Sequence, residues 1–201
     1  MGERMALSRH LVIFARLPRL GTGKRRLAAH IGPVEALRFQ RWALSSLIRR
    51  LGRDPRWTTW LAVTPFQGGP WPAGIPVIAQ PKGDLGRRMA GVARALPPGP
   101  VLIVGGDIPD IRPRHIAAGF AALGNHDAVF GPALDGGYWL VGLKRHPRVI
   151  DPFDGVRWSS RHALADTLAN LKGYRTALID TLDDIDDGDA LRRFHQRAAC
   201  P

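Results

Sequence analysis

The chain has 201 residues, 45% hydrophobic and 23% charged, which suits one globular domain with a buried core. No apolar run approaches the roughly 18 residues of a membrane span, so a membrane is not an expected partner. The net charge of +12 invites a nucleic-acid reading, but only four of the 29 basic residues are lysines, the arginines are scattered, and no RRM, KH or zinc-finger pattern accompanies them.

Strand and helix patterns alternate along the chain. Residues 1–8 read as a loose leader, with a single domain over 9–201. Leu11 to Ala15 is a continuous apolar run, as expected of a strand buried on both faces of a parallel sheet. A loop follows from Arg16 to Arg26, and Pro33 opens a long helical pattern ending near Leu51. Trp57 to Val63 reads as a strand, Phe66 to Gly74 as a Gly- and Pro-rich loop, and Pro76 to Ala79 as a short strand. Leu85 to Leu96 is a helix stopped by Pro97-Pro98-Gly99. Val101 to Val104 is a second buried-strand run, and Pro113 to Leu123 the next helix. Asp127 to Phe130 and Tyr138 to Gly142 are strands around a glycine loop. Ser160 to Leu171 is helical with Ser159 or Ser160 as N-cap, followed by a strand at Thr176 to Ile179 and a helix over Asp189 to Arg197. Repeated β-α units predict an α/β fold with a mainly parallel sheet covered on both faces.

Cys200 is the one cysteine. A lone cysteine makes neither an internal disulfide nor a zinc cluster, which fits a reducing compartment. The N-terminus lacks the long apolar core of a signal peptide, so a cytoplasmic location is expected.

Four segments fall where ligands bind in open α/β sheets, beyond the carboxyl ends of strands. The first, Phe14 to Leu27, holds Gly21, Gly23, Lys24 and several arginines. Glycines let backbone N–H groups approach a phosphate, and Lys or Arg neutralises its charge. It is not a Walker A loop, because Pro18 and Arg25 stand where that pattern needs Gly and Ser or Thr. Lys24 is expected on the solvated part of this loop. The second segment is Gly105-Gly106-Asp107-Ile108-Pro109-Asp110, where an acidic residue at a strand end is placed to hold Mg²⁺ against a phosphate. The third, Gly131 to Trp139, contains Asp135-Gly136-Gly137, which is either a hairpin turn or a place for substrate against backbone. The fourth, Asp180 to Asp189, is dense in carboxylates that repel one another unless they are solvated or hold a cation. It is out of register with an EF-hand loop, and a solvated helix start remains an alternative.

Together these segments resemble the DUF2064 family, whose members are glycosyltransferase-A-like. Phe14-Ala15-Arg16-x-Pro18-x-x-Gly21-x-x-Lys24-x-Arg26-Leu27 resembles its opening. The likeness continues through Gln80-x-x-Gly83-Asp84-Leu85-Gly86-x-Arg88-Met89, Gly106-Asp107-x-Pro109-Asp110 and Gly131-Pro132-x-x-Asp135-Gly136-Gly137-Tyr138. It ends in Trp158-Ser159 and Asp184-Ile185-Asp186. Some members are described as arsenosugar-biosynthesis glycosyltransferases. The family is similar to the guanylyltransferases of molybdenum-cofactor and F420 biosynthesis, which share the nucleotide-diphospho-sugar transferase fold. Leu20 and Arg25 depart from the family's usual Pro and Thr, and Gly-Asp-Ile-Pro-Asp-Ile replaces its Thr-Asp-Cys-Pro-Asp-Leu.

The resemblance implies a GT-A-like domain that uses Mg²⁺ or Mn²⁺. It implies nucleotide phosphates on Lys24 and Arg26 with Arg16 near, metal on Asp107, Asp184 and Asp186, and base or sugar near Gly83 and Asp84. Asp135, Gly136, Gly137 and Tyr138 would shape the acceptor side. The expected partners are a nucleotide or nucleotide-sugar and a small-molecule acceptor. The leading expectation is nucleotidyl transfer from an NTP to a phosphorylated or carboxylated acceptor. The alternatives are glycosyl transfer from a nucleotide-sugar and, from another class, non-catalytic nucleic-acid binding.

Overall fold

A computed structural model describes residues 7–67, 69 and 71–199 of the chain. Residues 1–6 of the expected leader, Gly68 and Pro70 of the Phe66 to Gly74 loop, and Cys200 lie outside the described residues. Among the described residues seven strands form one sheet: β1 (His10–Arg16), β2 (Thr58–Thr64), β3 (Val77–Ala79), β4 (Val101–Gly105), β5 (Ala128–Pro132), β6 (Tyr138–Leu143) and β7 (Thr176–Leu178). Their order is β3-β2-β1-β4-β6-β5-β7. β6 pairs antiparallel with both β4 and β5, and every other pairing is parallel. The sheet is therefore mainly parallel, with one reversed strand supplied by the hairpin after β5.

The helices are α1 (Arg25–Ile31), α2 (Pro33–Leu51), α3 (Leu85–Ala95), α4 (Pro113–Asn125), α5 (Ala163–Ala169) and α6 (Gly188–Ala199). Alternate residues of each central strand point to opposite faces. Leu11, Ile13, Leu102 and Val104 meet Leu44, Leu47 and Leu51 of α2 and Ile116 and Phe120 of α4. Val12, Val101 and Ile103 meet Met89, Val92 and Ala93 of α3, with Phe153 and Leu171 beyond. Each fully buried leucine of α2 contributes about 1.5–3 kcal/mol, so this helix is a principal anchor of the first face.

Two local expectations are corrected. The loop after β1 does not run on to Arg26, because α1 already begins at Arg25. Neither Ser159 nor Ser160 caps α5, which starts at Ala163 after His162. Ser159 is in the left-handed region (φ 57°), and the Ser160 hydroxyl accepts from the His162 N–H in the preceding turn. That turn consumes the residues that a longer helix would need. No helix among the described residues is long and apolar enough to cross a membrane.

Candidate active site

β1 delivers the basic loop to the carboxyl edge of the sheet. Leu17 is buried and donates its N–H to the Thr64 carbonyl, so the loop leaves the sheet from a fixed point. Gly21 (φ 76°), Gly23 (φ 72°) and Lys24 (φ 43°) then adopt left-handed backbone, which turns the chain back on itself. This turn carries Lys24 inward. Its side chain is only 6% exposed, and Nζ lies 2.7 Å from Asp107 Oδ2 and 2.6 Å from Asp186 Oδ1. The expectation of a solvated Lys24 is thus wrong, because two distant carboxylates draw the ammonium out of water. Burial disfavours that charge, but Asp107 and Asp186 outweigh it and raise the Lys24 pKa. Arg26, 69% exposed, reaches the other oxygen of Asp186 at 2.7 Å.

The acidic partners come from two further segments. Asp107 follows β4, where the Gly106 N–H donates to the Phe14 carbonyl and ties that turn to β1. Asp184 and Asp186 lie between β7 and α6. The Trp139 indole donates to the Asp180 carbonyl at 2.8 Å, and the Leu182 N–H to the Pro132 carbonyl, which hold this segment against β5 and β6. Asp183 is buried and paired with Arg193 of α6, so it supports the loop rather than facing Lys24.

Asp184 and Asp186 are electrostatically unlike. Burial, then the Asp186 charge, pushes Asp184 up to about 6; Asp135 and Asp107 add to this while Lys24 opposes it. Among the described residues its carboxylate has no hydrogen bond or ion pair. Burial also works against the Asp186 anion, but Lys24 and then Arg26 bring it below the usual carboxylate range.

Two carboxylate oxygens converge on one point, held by the Lys24 ammonium, and the charges of Asp186, Lys24 and Asp107 all act on Asp184, which has no ion pair among the described residues. Hard oxygen donors of this kind suit Mg²⁺ or Mn²⁺. Among the described residues no three His, Cys, Asp or Glu side chains are gathered as a metal site, and Lys24 occupies the point between Asp107 and Asp186. The residues fit the ion, provided that Lys24 moves.

Around this cluster lies an open cavity of about 260 Å³, lined by Arg16, Gly23, Lys24, Gln40, Asp107 and Asp186 among others. It is smaller than the roughly 300–1,000 Å³ of typical ligand pockets, a size for phosphate groups rather than for a whole nucleotide. Gly21 sits further out on the same loop.

The other sequence candidates are placed differently. Asp84 caps α3 by accepting the Arg87 N–H at 2.8 Å, and Gly83 before it has φ 123°. Neither lines the Lys24 cavity. Asp135 accepts the Gly137 N–H at 2.8 Å, and its charge reaches Asp184. A Cβ on Gly136 (φ 86°) would lie 2.3 Å from the Arg161 carbonyl oxygen, so glycine is required in this turn. Tyr138 is turned into the core against Phe130 and Trp158, with its hydroxyl near Thr167. Tyr138 therefore packs against the core rather than lining a cleft beside the turn of Asp135 to Gly137.

Gln40, which sequence reasoning missed, lines the cavity from α2 one turn before Leu44. Its only signal is the i, i+4 spacing to a core residue. Gln80 and Arg88 form a network at the same edge. Gln80 donates to the Ala15 and Ala62 carbonyls and accepts from Arg88, whose guanidinium stacks over Phe14.

A mainly parallel sheet with one reversed strand, carrying a basic loop and a carboxylate cluster at its carboxyl edge, is a GT-A-like nucleotide-diphospho-sugar transferase fold. The chain belongs to DUF2064, described as a family of uncharacterized proteins conserved in bacteria, which matches residues 47–160, more than half of its length. That match takes in Asp84, Asp107 and Asp135 but not Asp184, Lys24 or Asp186, and the contact of Lys24 with Asp107 and Asp186 is a finding of the structure.

Among solved structures, the chain resembles a proposed nucleotide-diphospho-sugar transferase from Desulfovibrio desulfuricans G20. The TM-score is 0.87 at 24% identity, over 96% of this chain and 88% of the other. It also resembles CMP:2-keto-3-deoxy-manno-octonic acid synthetase in complex with CTP (TM-score 0.59, 13% identity, 96% and 98% covered). A third is Rv0371c of Mycobacterium tuberculosis H37Rv in complex with manganese (TM-score 0.53, 16% identity, 94% and 98% covered). No curated protein matches the chain.

Proposed function

We propose that the protein is a metal-dependent nucleotidyltransferase. An oxygen of a small phosphorylated or carboxylated acceptor attacks the α-phosphorus of a nucleoside triphosphate. A new phosphorus–oxygen bond forms, the bond from the α-phosphorus to the β-bridging oxygen breaks, and pyrophosphate leaves. The observation that carries this reading is Lys24 buried between Asp107 and Asp186, with Arg26 on the same Asp186.

Lys24 and Arg26 hold and neutralise the departing phosphates, where charge develops during the reaction. Arg16 and the backbone of Gly21 and Gly23 receive the rest of the polyphosphate, and Gly83 and Asp84 border the base or sugar. Asp107, Asp184 and Asp186 would hold Mg²⁺ or Mn²⁺, which supplies charge neutralisation at the phosphate oxygens. Asp135, Gly136 and Gly137 border the acceptor, with Tyr138 beneath them. No side chain acts as a nucleophile in this scheme.

The neighbour solved with CTP supports a triphosphate donor, and the one solved with manganese supports a divalent ion. The Desulfovibrio relative favours a second reading, in which a nucleotide-sugar is the donor and a glycosyl group is transferred. A thermal-shift series with the four NTPs and common nucleotide-sugars, each with Mn²⁺ or EDTA, tests both. The expected result is stabilisation by an NTP that is larger with Mn²⁺. Stabilisation by nucleotide-sugars alone favours glycosyl transfer, and no metal-dependent shift with any donor overturns both readings.

A further inference from the structure

We infer that Lys24 is the resident cation of the carboxylate site, displaced when a divalent ion arrives, so that metal and phosphate bind by a coupled exchange. The inference rests on the reading of the site as a metal-dependent nucleotide site, and it concerns the regulation of that site.

The Lys24 ammonium holds one oxygen of Asp107 and one of Asp186, at 2.7 and 2.6 Å. Those carboxylates are the ones a divalent ion would need. An ammonium and a divalent ion so close to the same oxygens repel each other strongly, so the two occupancies exclude one another. Arg26 takes the second oxygen of Asp186, leaving neither oxygen of that carboxylate without a cation. The residues that must receive phosphate are therefore latched onto the residues that must receive metal.

Each ligand releases half of this latch. A divalent ion on Asp107 and Asp186 frees Lys24 and Arg26 but strands Lys24 as a buried charge without a partner. A phosphate group on Lys24 and Arg26 strands the two carboxylates in the same way. When both bind, every charge is paired again: the ion with the carboxylates, Lys24 and Arg26 with phosphate. Metal and phosphate thus favour each other's binding on the protein, beyond their affinity in solution. The structure supplies the means of exchange. Lys24 has a long flexible stem, and it follows two left-handed glycines in a loop with little regular backbone pairing. Asp184, which feels the charges of Lys24, Asp107 and Asp186 and has no hydrogen bond or ion pair among the described residues, can supply a further oxygen to the incoming ion.

Two measurements test this. In the first, Mn²⁺ is titrated into the protein without nucleotide and bound ion is read by electron paramagnetic resonance. Lys24→Met and Lys24→Gln are expected to bind Mn²⁺ at least tenfold more tightly than the wild type, with circular dichroism confirming that they fold. Unchanged or weaker binding overturns the inference. The second needs no variant. Lysines are reductively methylated and each site is followed by mass spectrometry, with exposed Lys82 and Lys172 as internal standards. Lys24 is expected to react slowly in the free protein, several-fold faster with Mg²⁺ alone, and slowly again when inorganic pyrophosphate is added. A rate at Lys24 that ignores Mg²⁺ overturns the inference. If Mn²⁺ still strengthens triphosphate binding while Lys24 shows neither effect, the coupled exchange fails and the proposed function stands. If Mn²⁺ neither binds nor strengthens triphosphate binding, both fail.

Discussion

Arg50, near the end of α2, donates through one guanidinium nitrogen to the Pro109 carbonyl at 2.7 Å, and to the Ile111 carbonyl at the same distance. The loop carrying Asp107 is thereby clamped to the helix that packs on the first face of the sheet. Burial lowers the Arg50 pKa, yet the guanidinium stays charged far above neutral pH.

Arg50→Met keeps much of the apolar stem and removes both hydrogen bonds, leaving two carbonyls to find other partners. Hydrogen bonds to a charged group are worth about 1.5–3 kcal/mol, and partial exposure reduces this, so the expected loss of stability is about 1–2 kcal/mol. Urea denaturation measures it. A change below about 0.5 kcal/mol, the range of ordinary surface substitutions, would show that the clamp is incidental.

Asp184 gives a pH prediction. Its pKa in the folded protein is pushed up to about 6 by burial and by the neighbouring carboxylates, above the ordinary value of 3.8. A carboxyl raised on folding favours the folded state while it is protonated. Its contribution is complete below about pH 4 and is lost as pH rises through 6. In EDTA, Asp184→Asn should therefore be more stable than the wild type at pH 7.5, by on the order of 1 kcal/mol after allowance for solvent screening. The two should converge toward pH 4. A stability difference that does not vary between pH 4 and 7.5 would sink this account of Asp184.

Much of the frame is legible in the sequence because it rests on local burial. Leu11 to Ala15 and Val101 to Val104 are apolar on every residue because both faces of those strands are covered, and Pro33 marks the first residue of α2. The missed helix α1 has one fully buried residue, Leu27, and no side-chain cap at its start, so neither periodicity nor capping reveals it. The charged cluster is harder still. Lys24 sits in a run of Gly, Thr and Arg that reads as solvated, and its burial depends on Asp186, 162 residues away. Likewise, nothing local distinguishes Asp183, paired with Arg193, from Asp184, which has no partner among the described residues.

The turn between β5 and β6 separates a backbone requirement from mere composition. Gly136 has φ 86°, and a Cβ there would meet the Arg161 backbone from 2.3 Å, whereas at Gly137 the nearest atom is the Asp135 carboxylate at 3.0 Å. Gly136→Ala combines a disfavoured dihedral with a clash against main chain and is expected to cost about 2–3 kcal/mol. Gly137→Ala meets only a side chain and should cost less than half as much. Comparable melting temperatures for the two variants would show that the turn relaxes in a way its geometry does not suggest.

Lys24 yields the last prediction, on stability rather than binding. Removing one partner of a fully buried ion pair costs about 3–5 kcal/mol, because the remaining charge is left without compensation. Here Lys24 is 6% exposed, but its partners Asp107 and Asp186 are 44% and 36% exposed, so water recovers part of the loss. For Lys24→Met in EDTA the expected destabilisation is therefore about 1–3 kcal/mol. The two carboxylates left behind also repel each other, and a divalent ion relieves that repulsion directly. Saturating Mn²⁺ should thus restore much of the variant's stability and raise the wild type's far less. Denaturation midpoints for both proteins, each with Mn²⁺ and with EDTA, read this difference. Equal Mn²⁺ effects on the two would mean that Lys24 and the ion do not compete for Asp107 and Asp186, and an undiminished midpoint in EDTA would mean that the buried ammonium contributes nothing to holding the loop, β4 and the α6 approach together.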